Sequence, residues 1–253
     1  MRSFHQISAV GALAALMALC APLVGAHAQT VKPLVVDLTT TGRGMNQTIS
    51  VENTSAAPLP VEMTVQELLI DGGETQLTGT DPGDIFVFPP QATIQPGQTQ
   101  TFRVQYVGDP ALANSKHYYV TVAQVPVQSR TGASGVQVVF NFQVLASVGS
   151  SGAEPALRVQ SAAIGTDETG QPVPVITMIN DSATYGYLAN GKLRIIEKDA
   201  SGREIFRRTF SGPEISQTLG MGLISSGQQR VFTLSTILPQ EGGVIEARFT
   251  PDR

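Results

Sequence analysis

Val136-Gln137-Val138-Val139-Phe140-Asn141-Phe142-Gln143-Val144-Leu145 decides how this chain is read. Val136, Val138, Phe140, Phe142 and Val144 share one parity and are all apolar. Gln137, Val139, Asn141, Gln143 and Leu145 share the other. A strand sends alternate side chains to opposite faces, so this is a β-strand with one wholly apolar face. The β-type pattern continues through residues 136–148, the longest such run in the sequence. Periodicity alone leaves two uses open for that face: filling the core of its own sandwich, or being offered to another polypeptide.

The residues on either side are organised in the same way. Runs with strand character cover 34–39, 47–52, 61–70, 85–88, 99–107 and 118–127. They are separated by turn signals such as Asn53-Thr54-Ser55, Asp71-Gly72-Gly73, Pro89-Pro90 and Gly132-Ala133-Ser134-Gly135. Short strands punctuated by Gly, Pro, Asn and Asp define a β-sandwich. Gly149-Ser150-Ser151-Gly152, extended by Glu154-Pro155, is a linker by composition. A second β series follows at 157–163, 173–180, 192–198, 204–210, 228–234 and 244–249. The organisation expected is a leader at 1–28, a first sandwich at 29–148, a linker at 149–155 and a second sandwich at 156–253. No stretch has a convincing amphipathic helical pattern. Gly220 and Gly222 argue against a helix over 215–224.

The start of the chain reads as an address. Arg2 precedes an apolar run over 7–24, and Ala26-His27-Ala28 supplies the small residues a signal peptidase requires. Cleavage before Gln29 is expected, which would place the product in an exported compartment. The run is also about long enough to span a bilayer as an uncleaved anchor. Pro22, Gly25 and the Ala-x-Ala end favour cleavage. Cys20, the single cysteine, falls within this segment, so the mature chain has no disulfide, thiol nucleophile or Cys-bound metal. No later segment is apolar enough to span a membrane as a helix.

Composition narrows the chemistry. The 253 residues carry a formal net charge of −4, against nucleic-acid binding, which needs clustered cations. Arg203, Arg207 and Arg208 form the densest basic spot, and Glu204 interrupts it. His117 is the one histidine beyond the leader. No Gly-x-Ser-x-Gly elbow accompanies it, and one histidine cannot build a usual zinc site. No catalytic residue, metal or cofactor is therefore expected. The stretch from Gly186 to Lys192 spells Gly-x-x-x-x-Gly-Lys, but Leu193 stands where magnesium needs Ser or Thr. Asn190-Gly191 reads better as a type I′ hairpin turn. Asn46-Gln47-Thr48 and Asn53-Thr54-Ser55 fit glycosylation sequons.

Two further stretches carry a resemblance. Asp84-Ile85-Phe86-Val87-Phe88-Pro89-Pro90 is followed by Ile94-Gln95-Pro96-Gly97-Gln98 and Phe102-Arg103-Val104. Tyr118-Tyr119-Val120-Thr121-Val122 then precedes Val125-Pro126. In order and spacing these resemble the periplasmic pilus chaperones, the PapD-like family, over most of residues 29–148. The resemblance is weaker beyond, at Met178-Ile179-Asn180 and Ala183-Thr184-Tyr185. It implies an all-β chain of two immunoglobulin-like sandwiches in an L-shape. It implies a periplasmic chaperone that lends Val136, Val138, Phe140, Phe142 and Val144 to pilin-like subunits lacking a strand, and delivers them to an outer-membrane usher.

The family also anchors a subunit's terminal carboxylate with an Arg and a Lys. Arg43 stands where the Arg is expected, and Asn141 or Gln143 replaces the Lys. Lys116-His117 occupies the place of an acidic residue. The alternative function is an exported structural or adhesive β-sandwich without chaperone activity, in which 136–144 would be buried.

Overall fold

The computed structural model describes residues 29–126, 139–239 and 242–252. The leader with Cys20, the turn at 132–135, and Val136 and Val138 lie outside them. The first sandwich is built from β1 (Thr30–Lys32), β2 (Val35–Thr39), β3 (Asn46–Glu52), β4 (Leu59–Asp71), β5 (Glu74–Leu77), β6 (Ile85–Phe88), β7 (Gln91–Ile94), β8 (Thr99–Tyr106), β9 (Lys116–Gln124) and β10 (Asn141–Gly149). One sheet has the order β1-β3-β8-β6. The other has the order β2-β10-β9-β4-β5, with β7 also on β4. Between them lies a dry core that includes Leu38, Ile49, Phe102, Val104, Tyr106, Tyr118, Val120 and Val144. The alternation read from sequence places these residues inside. In β8, Phe102, Val104 and Tyr106 are buried while Thr101 and Arg103 are not.

The second sandwich comprises β11 (Leu157–Thr166), β12 (Pro172–Asn180), β13 (Gly186–Tyr187), β14 (Gly191–Lys198), β15 (Glu204–Phe210), β16 (Leu223–Ile224), β17 (Gln229–Thr233) and β18 (Val244–Pro251). Its ladders are β11-β12-β17, β13-β16 and β15-β14-β18. Its core is separate and includes Ile176, Met178, Leu193, Ile195, Ile215 and Phe232. The all-β, two-sandwich architecture is thus as expected, apart from one helix.

That helix, α1 (Gly212–Leu219), corrects the expectation of none. Glu214 accepts hydrogen bonds from the Ser211 amide at 2.8 Å and the Ser211 hydroxyl at 2.7 Å. Ser211-Gly-Pro-Glu214 is a capping box with proline in the first turn, a start signal short enough to miss. Gly220, at φ 71°, ends the helix, and Ile215 anchors it in the core. The Asn190-Gly191 turn is also corrected. A type I′ turn needs positive φ at both residues, and neither has it. β13 pairs with β16, not β14. Gly191 is required by crowding, because a Cβ there would run into the Phe249 ring.

A buried asparagine closes the same corner in each sandwich. Asn180 donates to the carbonyls of Thr184, Ile224 and Ser225 at 2.6, 3.1 and 3.2 Å, and accepts from Ser182. Asn53 donates to the Ala57 and Ile94 carbonyls, each at 2.8 Å, and accepts from Ser55. With its amide nitrogen buried and engaged, the Asn53 sequon is closed to a glycosyl donor in the folded chain. Asn180→Ala would remove a buried donor from three carbonyls, of which Ser225 keeps the Gln228 amide and Thr184 the Ser182 hydroxyl, and would remove the acceptor of Ser182 and Ala156. A buried polar group left unpaired costs about 1–3 kcal/mol. A loss of about 3 kcal/mol is expected, read as a lowered urea midpoint with unchanged slope.

Candidate functional site

The edge of β10 is half covered. On one side it pairs antiparallel with β9 from Asn141–Ala123 to Val148–Lys116. On the other it pairs parallel with β2, but only from Leu145–Val35 to Gly149–Thr39. Upstream of Val35 the chain leaves this sheet. β1 crosses to the opposite sheet, where Lys32 pairs with Ser50. Pro33 stands at the crossing and has no N–H to donate. The outer edge of 141–144 therefore has no β-partner among the described residues. An open strand edge is a template for an added strand.

Side chains grade along the same strand. Val144 is 0% exposed and belongs to the core. Phe142 is half-buried and packs against that core. Phe140 is 36% exposed. The two rings stack with centroids 6.3 Å apart, 13° from parallel. They line a narrow apolar slot with Val51, Leu59, Val61 and Val122 at the open end of the sandwich. The apolar parity thus changes use along its length, from core at Val144 to an accessible aromatic rim at Phe140.

The carboxylate anchors expected from sequence are not brought together. Arg43 is exposed in a 3-10 turn (Arg43–Met45) just after β2, whose last pairing is Thr39 with Gly149. Asn141 and Gln143 are exposed near the opposite end of β10. Gln143 lies six residues from Gly149, roughly 20 Å along a strand.

The junction between the sandwiches carries a polar lock that no sequence motif announces. Asp37 Oδ1 accepts hydrogen bonds from Tyr185 at 2.9 Å and Tyr187 at 2.7 Å. Both phenols are pushed up in pKa by burial first and by the Asp37 charge second. His117, 4% exposed, joins Ser147 through Nδ1 at 2.9 Å and Ser225 through Nε2 at 3.0 Å. Tyr185 meets its ring edge-on at 5.7 Å. Burial pushes the His117 pKa down to about 4, so the imidazole is neutral, donating to one serine and accepting from the other. A cavity of about 270 Å³ beside the lock is lined by Asp37, Glu154, Tyr185 and Tyr187, without Lys or Arg. It is not built for a carboxylate.

Lys116 also has a structural role. It binds Asp84 at 2.8 Å and Glu67 at 3.5 Å, while Tyr118 donates to Asp84 at 2.7 Å. Burial alone would raise the Asp84 pKa, but these two hydrogen bonds and the Lys116 charge lower it on balance. Among the described residues there is no cluster of three or more His, Cys, Asp or Glu able to hold a metal. No helix there is long and apolar enough to cross a membrane.

Two immunoglobulin-like sandwiches, a half-open terminal strand and a polar interdomain junction define a two-domain β-sandwich protein with an edge available for strand addition. Residues 31–145 match the family model of the pili and flagellar-assembly chaperone, PapD N-terminal domain. The first sandwich is therefore a domain of the PapD N-terminal type. The class 5 fimbriae chaperone CfaA is a structural neighbour, 15% identical, covering 87% of this chain and 98% of its own, with a TM-score of 0.51. A structure of the chaperone–tip adhesin complex of CFA/I fimbriae biogenesis is 13% identical, covers 89% and 100%, and has a TM-score of 0.50. At such identities these likenesses establish the fold. No curated protein matches the chain in sequence.

Proposed function

We propose that this protein is a periplasmic chaperone for pilus-type subunits, stabilising them by strand donation from β10 and delivering them to an outer-membrane usher. The observation that carries the reading is the half-open β10 edge with Phe140 and Phe142 accessible beside it. A subunit with an incomplete sandwich exposes unpaired backbone and an apolar groove. The open edge supplies hydrogen bonds, and alternate side chains fill the groove. Val136 and Val138 continue the donor parity beyond the described residues. Val144 fixes the strand in the chaperone's own core. The match of the first sandwich to the PapD N-terminal domain supports this reading, as does the coverage of 87% of the chain by a fimbrial chaperone fold.

Arg43 is the cation available for a subunit carboxylate near the interdomain end of β10. Asn141 and Gln143 can add hydrogen bonds at the other end. The leader over 1–28 accounts for export, and strand exchange requires no nucleotide.

Co-expression with pilin-like subunits encoded beside this gene tests the role. Their periplasmic abundance should fall sharply when the chaperone is absent, and they should co-purify with it. Unchanged subunit abundance without it, together with no co-purification, would leave the exported structural sandwich as the better account.

A further inference from the structure

The outer face of the second sandwich holds a cluster of cations outside the strand-donating edge. In β14 the inward residues Leu193 and Ile195 are fully buried, and Lys192 and Arg194 take the opposite face. Arg194 lies directly opposite Arg248 on β18 and Thr209 on β15, while Lys192 lies opposite Thr250. These five side chains line a concavity of about 180 Å³. At about 30 Å³ per water, that space holds a small tetrahedral anion with several waters.

Two features separate this cluster from an ordinary solvated face. Directly opposed residues in an antiparallel pair have Cβ atoms about 4.5–5.5 Å apart, and like charges there destabilise the sheet. Arg194 and Arg248 meet in that way. One carboxylate shares this face, Glu246 opposite Ile196, and Lys198 holds it. Neighbouring cations are matched: Lys198 binds Glu246 at 2.5 Å, and Arg207 binds Glu204 at 2.6 Å. Among the described residues no carboxylate engages Lys192, Arg194 or Arg248. The chain as a whole is acidic, with net charge −4. The three cations are exposed and hydrated in the free chain, and their fields add at one point, which favours an anion there.

We propose that Lys192, Arg194 and Arg248, with the hydroxyls of Thr209 and Thr250, form a binding site for a phosphate-type oxyanion. Two guanidiniums supply paired donors to tetrahedral oxygens, Lys192 supplies a point charge, and the threonines complete the donor set. The phosphate belongs either to a small soluble anion or to a lipid headgroup, and the chemistry is the same in both.

Titration of the full chain with inorganic phosphate, followed by amide NMR, tests the site. Saturable shifts should centre on Lys192, Arg194, Thr209, Arg248 and Thr250. Arg194→Ser and Arg248→Ser should each weaken binding about tenfold, the loss of a charge-assisted hydrogen bond. Both variants should keep or raise the thermal midpoint, because they remove a like-charge pair. Co-sedimentation with phosphatidylglycerol vesicles, against phosphatidylcholine alone, identifies the source. Lipid-dependent sedimentation lost in the variants assigns the site to a headgroup. Phosphate binding without sedimentation assigns it to a soluble anion. Shifts that never saturate, or that both arginine variants reproduce unchanged, together with vesicle binding insensitive to them, would overturn the site.

Discussion

Replacing Phe140 and Phe142 together with serine should reduce client capture by at least about 100-fold while leaving a folded chaperone. Each phenylalanine buried in a client groove contributes about 1.5–3 kcal/mol of gross apolar burial, so the pair contributes about 3–6 kcal/mol. That range corresponds to about two to four decades of affinity. Prior contact with the chaperone's own slot lowers the net gain, because Phe142 is already half-buried against the core. The expected cost to the free protein is about 1–2 kcal/mol, chiefly from Phe142. The measurement is dissociation of a purified complex with a subunit, alongside urea unfolding of each variant. Phe140→Ser alone touches the core less and should still weaken binding clearly. Asn141→Ser with Gln143→Ser, on the other parity, should change affinity far less. If the phenylalanine variants unfolded at low urea while residual complex kept full affinity, the aromatic rim would be core and the donor assignment would fail.

The features of this molecule that are legible in its sequence share one physical origin. Strands half-buried on a sheet must alternate, so periodicity alone puts Phe102, Val104 and Tyr106 inside, where they are found. The same rule identifies the apolar parity of β10, but it cannot say where along the strand the core ends. That depends on where β2 leaves the sheet, a tertiary event centred on Pro33 with no trace in β10 itself. The polar lock is illegible for a similar reason. Asp37, Ser147 and His117 are cross-strand neighbours on the first sandwich, and Tyr185 and Ser225 reach them only because the second sandwich docks there. From its neighbours in the chain, His117 is a strand-end histidine and no more; its burial is supplied largely by the second domain through Ser225 and Tyr185. Helix α1 escapes for a different reason. Its four-residue box is present, but eight helical residues carry too few turns for periodicity to show.

Acid should loosen this junction, and His117 sets the direction. In the unfolded chain the imidazole titrates at its ordinary value of 6.5, whereas in the folded chain burial holds it down to about 4. Between those values the unfolded state binds the extra proton. Folding stability therefore rises with pH across that window and falls as the solution is acidified. Above about pH 6.5 both states are neutral and the full stability is present. By about pH 4 the group has withdrawn about 3 kcal/mol, at roughly 1.4 kcal/mol per pH unit of difference. The charge would appear between the hydroxyls of Ser147 and Ser225, one of which must stop donating once both ring nitrogens carry protons. The nearest acids temper this only slightly. Asp37 is already shared by Tyr185 and Tyr187, and Asp84 is committed to Lys116 and Tyr118. Urea midpoints measured from about pH 7 to pH 4 should decline steeply in the native chain. His117→Gln keeps a neutral donor and acceptor but cannot titrate, so it should start less stable and decline less. Hydrogen exchange at residues 115–118 and 224–226 should accelerate with acid in the native chain before the two cores open. Equal acid sensitivity in the native chain and His117→Gln would show that the junction is held by contacts other than this imidazole.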